Sequence, residues 1–190
     1  TRGRTPDDVT PPETTLLHVK GLRKHFPIKR GLLNKTVGAV KAVDGVTFWV
    51  SRGETRGVVG ESGSGKTTTG RAVLRLIEPS EGTAFFDGTD IFTMPRQELQ
   101  KLRRRAQIVL QDPYASLNRR MTIIDTLREV LKVHRLAEGE AARNRARELL
   151  EIVGLLPQHI SRFPHEFSGG QRQRVGIARA LSVEADFIVC

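Results

Sequence analysis

Apolar and polar positions divide the chain into strand-like and helix-like stretches. Leu16 to Leu22 reads L-L-H-V-K-G-L, and its partial alternation predicts a half-buried strand. Pro27 to Gly38 carries Lys29, Arg30, Lys35 and two glycines and predicts a loop. Ala39 to Val50 is rich in valine and aromatics. It predicts one strand, or two with a turn near Asp44-Gly45. A short strand is expected over Thr55 to Val59, a helix over Lys66 to Leu76, a turn at Glu81-Gly82 and a strand over Thr83 to Phe86. Arg96 to Arg105 reads as a basic helix, and Ala106 to Leu110 as a mostly apolar strand ending at Gln111-Asp112-Pro113.

From Ile123 to Val153 the period becomes helical. Ile123, Leu127, Val130 and Leu131 follow i, i+4, i+7, i+8 spacing. Ala142, Ala146, Leu149, Leu150 and Val153 mark a second helix, which Gly154 stops. A last helix is expected from about Gly170 to Leu181, and a last apolar strand over Phe187 to Cys190. Helices set between strand-containing parts predict an α/β fold, with a mixed sheet, an antiparallel β flank and an inserted helical subdomain at about residues 115–168. Thr1 to Thr15 is polar with three prolines and reads as a disordered tail, leaving residues 16–190 as one domain.

Composition narrows the classes. Hydrophobic residues are 38% and charged residues 27%, as in a globular protein. No run approaches the ~20 apolar residues that span a bilayer, and the N-terminus has no apolar signal-peptide core, so a cytosolic protein is expected. The lone cysteine, Cys190, excludes an internal disulfide and a multi-Cys metal site. A net charge of +10 suits a nucleic-acid or anionic-membrane partner, or a basic surface around a phosphate site. Aromatics are only 5% and are not interleaved with the basic residues, so a stacking platform for single strands is unsupported.

The most specific chemistry is G-E-S-G-S-G-K-T at Gly60 to Thr67. It fills the pattern G-x-x-x-x-G-K-[ST], which arises by chance in a chain this long on the order of once in a hundred. Glycines let backbone N–H groups turn inward around a phosphate, and a helix N-terminus adds its dipole. Lys66 brings a positive charge to the β- and γ-phosphates, and the Thr67 hydroxyl suits Mg²⁺. Candidate ATP-binding residues are therefore Gly60, Glu61, Ser62, Gly63, Ser64, Gly65, Lys66, Thr67 and Thr68.

A second motif, P-H-E-F-S-G-G-Q-R-Q-R-V-G-I-A-R-A-L, runs from Pro164 to Leu181, with Ser168 placed to cap a helix. With the cradle upstream, it resembles the signature of the ABC-type ATPases, P-loop NTPases that serve as nucleotide-binding subunits of ABC transporters. The resemblance covers Leu16 to Cys190. It implies that Phe167, Ser168, Gly169, Gly170 and Gln171 form the signature, with Ser168 and Gly170 touching the γ-phosphate of ATP held by a second ATPase subunit. The signature's first position is usually leucine; here it is Phe167. Gln111 resembles the family's Q-loop glutamine, a Mg²⁺ sensor facing the membrane subunits, and Phe26 the aromatic that stacks on adenine. Arg56 departs from the apolar residue usual in its strand.

Three segments look like the oligopeptide, dipeptide and nickel importers: H-F-P-I-K-R-G-L-L from His25, Q-D-P-Y-A-S-L-N from Gln111 and H-E-F-S-G-G-Q-R-Q-R from His165. That resemblance implies ATP and Mg²⁺ as cofactors. It also implies a paired ATPase, two membrane permease subunits, a solute-binding protein acting indirectly, and a peripheral place at the cytoplasmic face of the inner membrane. The family's magnesium Asp and catalytic Glu follow four apolar residues. Phe187 to Cys190 supplies the four, and all five histidines precede them, so neither the base nor the switch histidine is among these residues. The expectation is a fragment of an ATPase that cannot itself turn over ATP. The alternatives are a non-transport member acting on nucleic acid or ribosomes, and a nucleotide-binding remnant.

Overall fold

The structure, a computed structural model, describes residues 11–30, 35–109 and 117–190. The chain divides into two units, Thr1–Leu99 and Gln100–Cys190. In the first, β1 (Thr15–Arg30) and β2 (Lys35–Ser51) form a long antiparallel pair. With β3 (Glu81–Phe86) and β4 (Thr89–Asp90) they make a four-stranded sheet in the order β2-β1-β3-β4. Helix α1 (Lys66–Val73) packs on β1 and β2.

Leu17 and Val19, two apart on one face of β1, are fully buried. Strict alternation would then bury position 21. A bulge at Gly21, with φ 57°, inserts one residue and turns Leu22 inward instead. A second bulge at Gly45, φ 83°, answers it on β2, so the pairing resumes at Arg23 and Asp44. Phe86 and Ala84 of β3 close over Leu17 and Val19, and Ala72, Val73 and Leu74 supply the helix's buried side chains.

Helix α2 (Arg96–Arg105) begins in the first unit and ends in the second, where β5 (Ala106–Ile108) follows it and pairs in parallel with β6 (Phe187–Val189). Between them run α3 (Ile123–Val133), α4 (Gly139–Ile152), short 3₁₀ turns at Pro157–Ser161 and Pro164–Glu166, and α5 (Gly169–Leu181). Their core gathers Ile123, Leu127, Leu149, Leu150, Phe167 and Val175. These include the periodic positions of the sequence, and Leu131, Ala142 and Ala146 are buried with them. Val130 is half-buried.

Several expectations are corrected. Residues 54–60 are irregular, not a strand, and Val59 is 98% exposed. A strand exists only where a neighbour completes its ladder, and no described strand pairs with this stretch. The loop expected over Pro27 to Gly38 is largely strand, since β1 continues to Arg30 and β2 starts at Lys35. Glu81-Gly82 opens β3 instead of forming a turn. Helix α1 stops at Val73, because Leu74 caps it and Arg75 takes a positive φ of 49°. Both strand senses of the expected mixed sheet occur, in separate sheets. The tail lies outside the described residues up to position 10, whereas Thr15 already opens β1 with its N–H on the Pro12 carbonyl at 3.0 Å.

Candidate functional site

The cradle begins where the irregular stretch 54–60 meets Gly60. Ser64 N–H donates to the Glu61 carbonyl at 3.2 Å and closes the first bend. Gly65 then sits at φ 91°, the left-handed conformation, as the N-cap of α1. It also lies against β2. A Cβ there would fall 2.0 Å from the Ala42 carbonyl oxygen, closer than any side chain can come. Only glycine meets both demands, the backbone angle and the close approach. The Gly65 carbonyl accepts from Thr69 N–H at 2.7 Å and Thr69 Oγ1 at 3.0 Å, which locks the first turn.

Lys66 folds back over this loop. Its Nζ donates to the Gly60 carbonyl at 2.6 Å, the Glu61 carbonyl at 2.7 Å and Ser64 Oγ at 3.3 Å, using all three ammonium donors. The charge is thus held over the mouth of the loop by the loop's own oxygens. The N-terminus of α1 has no side-chain cap and no acidic residue in its first turn. First-turn N–H groups lack intrahelical acceptors and carry the positive end of the helix dipole. Glu61, Ser62, Gly63 and Thr67 are solvent-exposed, and Thr68 is half-buried. A triphosphate fits this surface by charge and by donor geometry. Mg²⁺ keeps much of its shell as water and phosphate oxygen, so the single Thr67 hydroxyl suits it. Among the described residues no cluster of His, Cys, Asp or Glu could hold a metal ion.

Phe26 lies on β1 opposite Val40; the residue is 40% exposed, with Lys24 Nζ 4.9 Å from the ring centroid. Val40 is two residues along β2 from Ala42, against which Gly65 rests, about 7 Å of strand. The sheet therefore brings Phe26 and the cradle to neighbouring stretches of one hairpin. The base of this stretch is braced by Asp44, whose carboxylate accepts from Lys41 Nζ at 3.2 Å and His25 Nε2 at 3.1 Å. Those bonds hold its carboxyl below the usual range, Lys41 contributing most. Gln111, the other Mg²⁺ candidate, lies outside the described residues.

The signature is built differently. Ser168 Oγ accepts from Gln171 N–H at 3.3 Å, and Gln171 Oε1 accepts from Ser168 N–H at 2.9 Å, a reciprocal capping box on α5. Phe167 is 2% exposed and anchors the turn in the helical core. His159 packs edge-on against it, ring centroids 5.7 Å apart at 85°. Arg172 Nε donates to the Pro164 carbonyl at 2.8 Å, tying the helix to the preceding 3₁₀ turn. Ser168 and Gly170 stay exposed, with Gly169 half-exposed. Sequence reasoning missed Ala42, Lys24 and His159. Ala42 meets Gly65 across 23 positions, which no local pattern marks, whereas Lys24 reaches Phe26 as its i+2 neighbour on the strand and His159 reaches Phe167 across one short turn.

A strand-backed phosphate loop opening a helix, with a separate glycine-started helix behind a buried aromatic, defines an ATP-binding cassette. The ABC transporter family model matches residues 43–190, and the chain belongs to that family. It is 52% identical over 177 residues to an ATP-binding protein of Brucella ovis named for peptide import, covering 93% of this chain and 54% of that one. It is 47% identical over 178 residues to the oligopeptide transport ATP-binding protein AppF of Bacillus subtilis, with the same 93% and 54% coverage. The chain thus spans about half the length of these curated relatives. The solved dimeric cassette MJ0796, bound to ADP and Pi in a post-hydrolysis state, aligns with a TM-score of 0.77 and 29% identity, over 90% of this chain and 72% of that one.

Proposed function

We propose that the chain is the ATP-binding part of an importer subunit that couples ATP hydrolysis to uptake of peptides or a related solute. The observation that carries the reading is the cradle: an uncapped helix N-terminus, a glycine that a Cβ would drive into Ala42, and an ammonium held over the loop. The relatives named for peptide and oligopeptide transport support the solute class.

In this reading Gly60 to Thr68 hold the triphosphate, Phe26 stacks on adenine, and Thr67 with Gln111 holds Mg²⁺. Mg²⁺, when bound, neutralises charge on the phosphates. Lys66 must exchange one or more of its loop oxygens for phosphate oxygen, which its three rotatable donors permit. Ser168, Gly169 and Gly170 serve the γ-phosphate of a second ATPase subunit, from the mount that Phe167 and Gln171 stabilise. The fold likeness to a dimeric cassette supports that pairing. Permease subunits complete the assembly at the inner face of the membrane, with a solute-binding protein acting indirectly and no nucleic acid involved. No described helix is long and apolar enough to cross a membrane.

Binding of a fluorescent ATP analogue tests the core of this. Lys66→Ala removes the cation over the loop and is expected to abolish binding; unchanged affinity would sink the assignment. The 190 residues include no group that the family resemblance assigns as catalytic base. Steady, Lys66-dependent phosphate release from this chain alone would overturn that part of the reading.

A further inference from the structure

Arg23 is the last residue of β1 that pairs with β3, opposite Glu81. Phe26 lies beyond it, where β3 supplies no backbone rung. Ser80, just before β3, fills part of the gap. Its N–H donates to the Arg23 carbonyl at 2.8 Å. Its Oγ accepts from His25 N–H at 2.9 Å and donates to the His25 carbonyl at 3.4 Å. On the β2 side the register steps from Lys24↔Val43 to His25↔Lys41, which makes Ala42 the extra residue of a bulge. This is the residue whose carbonyl oxygen Gly65 approaches. Asp44 spans the bulge. One carboxylate oxygen accepts from His25 Nε2 on β1 at 3.1 Å, and the other from Lys41 Nζ at 3.2 Å. Arg23 Nε lies 3.6 Å from Asp44 and its other arm holds Glu81, so the brace is tied to the rest of the sheet.

We propose that Asp44, His25 and Ser80 are positioning residues that set the distance between Phe26 and the phosphate cradle, and so match the site to a base carried on a triphosphate. The bulge lies between the two ends of that distance. Gly65 rests on Ala42, and Phe26↔Val40 is the second pair beyond it. A bulge bends its strand and increases the local twist, so without a brace Phe26 would shift relative to Gly65. A stacking ring contributes most when it is held in place before the ligand arrives. Ser80 fixes the backbone at His25, one residue from Phe26, and Asp44 ties both sides of the bulge to β1. The inference rests on the reading that Phe26 stacks on adenine.

The test is titration calorimetry of the purified full chain with ATP and with inorganic tripolyphosphate, of which only ATP carries a base. His25→Ala with Ser80→Ala should weaken ATP binding roughly tenfold, the scale of losing a few exposed hydrogen bonds, and leave tripolyphosphate binding unchanged. Asp44→Ala should act in the same direction. His25→Ala alone spares the backbone bonds and should lose about threefold; it serves if circular dichroism shows the double variant unfolded. His25→Gln keeps a donor near the place of Nε2 and should bind ATP as the parent does. In a Phe26→Ala background the same changes should no longer affect ATP, because no ring is left to place. Equal losses for ATP and tripolyphosphate would overturn the proposal, since they mark a general loosening of the cradle. So would losses that persist in the Phe26→Ala background, or a His25→Gln variant as weak as His25→Ala. If Phe26→Ala weakens ATP binding and the His25, Ser80 and Asp44 variants do not, only the positioning role falls. If Phe26→Ala binds ATP as the parent does, the adenine reading falls and the proposal with it.

Discussion

Helices α1 and α5 both begin at glycine-rich turns, yet their N-termini are finished in opposite ways. At α1 the cap is Gly65, without a side-chain acceptor, and Lys66 curls back onto Gly60 and Glu61. At α5 the cap is Ser168, which with Gln171 satisfies two backbone donors from within, above a buried Phe167. The first terminus has no side-chain cap and holds a cation beside it. The second is a rigid mount. Its Ser168 oxygen accepts from Gln171, but the hydroxyl proton stays available to donate, and Gly169 and Gly170 bring no Cβ to block approach. Similar glycine-rich turns thus give one helix start without a side-chain cap and another closed by a reciprocal box, and the cap residue decides which.

The comparison can be broken at several points. Phe167→Ala should have the largest effect on stability, about 3–5 kcal/mol, because it empties a fully packed aromatic site. Phe167→Leu, which restores the residue usual in the family, should lose less than about 1.5 kcal/mol. Urea denaturation followed by helical signal measures both. If the alanine variant is as stable as the parent, Phe167 is not the anchor of the mount.

Gly65→Ala comes next. The left-handed angle and the contact with the Ala42 oxygen should together cost at least about 2 kcal/mol or force the loop open. ATP-analogue binding should fall with it, whereas the same substitution at the exposed Gly170 should leave folding stability nearly unchanged. Equal stability losses at the two glycines would erase the contrast between the termini.

Ser168→Ala removes one side of the capping box and should cost about 1 kcal/mol. The effect should reach α5 and spare α1, which has no side-chain cap to lose. Hydrogen exchange of the first-turn amides of each helix reads this directly, and faster exchange at α1 as well would contradict it.

The smallest effect is the pH response of the strand that backs Gly65. The Asp44 carboxyl is lowered from 3.8 by Lys41 and then His25. A depressed carboxylate contributes stability above its unfolded pKa and loses it as pH falls through the folded value. Residues 40–45 should therefore loosen below about pH 4, by only a little because Asp44 is solvent-exposed. Hydrogen exchange compared at about pH 5 and about pH 3 should show the change in the parent and not in Asp44→Asn. An identical response in the variant would remove Asp44 as its source.

Much of this architecture is legible in the order of residues alone. Helices α2 and α5 fall within a residue of their expected ranges, and α3 and α4 hold the expected apolar positions. Their hydrogen bonds close within four residues, so the information that forms them is local. The phosphate loop and the signature are likewise contiguous and declare their chemistry by residue type and spacing. Strands are less legible for the opposite reason. Thr55 to Val59 has the composition of a strand, but a ladder needs a partner from elsewhere, and no described strand supplies one. The run from Pro27 to Gly38 has the glycines and charges of a loop, yet pairing across the hairpin extends both strands into it.

On its own, then, the sequence determined the family, the candidate cradle and signature segments, and the helical period of the second unit. Tertiary structure decided that Gly65 is pressed against Ala42, that Lys66 rests on its own loop, that Phe26 lies within two residue pairs of the cradle's backing strand, and that His159 packs on Phe167. Each of those depends on contacts that residue order does not specify. Chain closure and packing choose such contacts only after the local elements exist, so residue order shows which groups are available and the fold determines which of them meet.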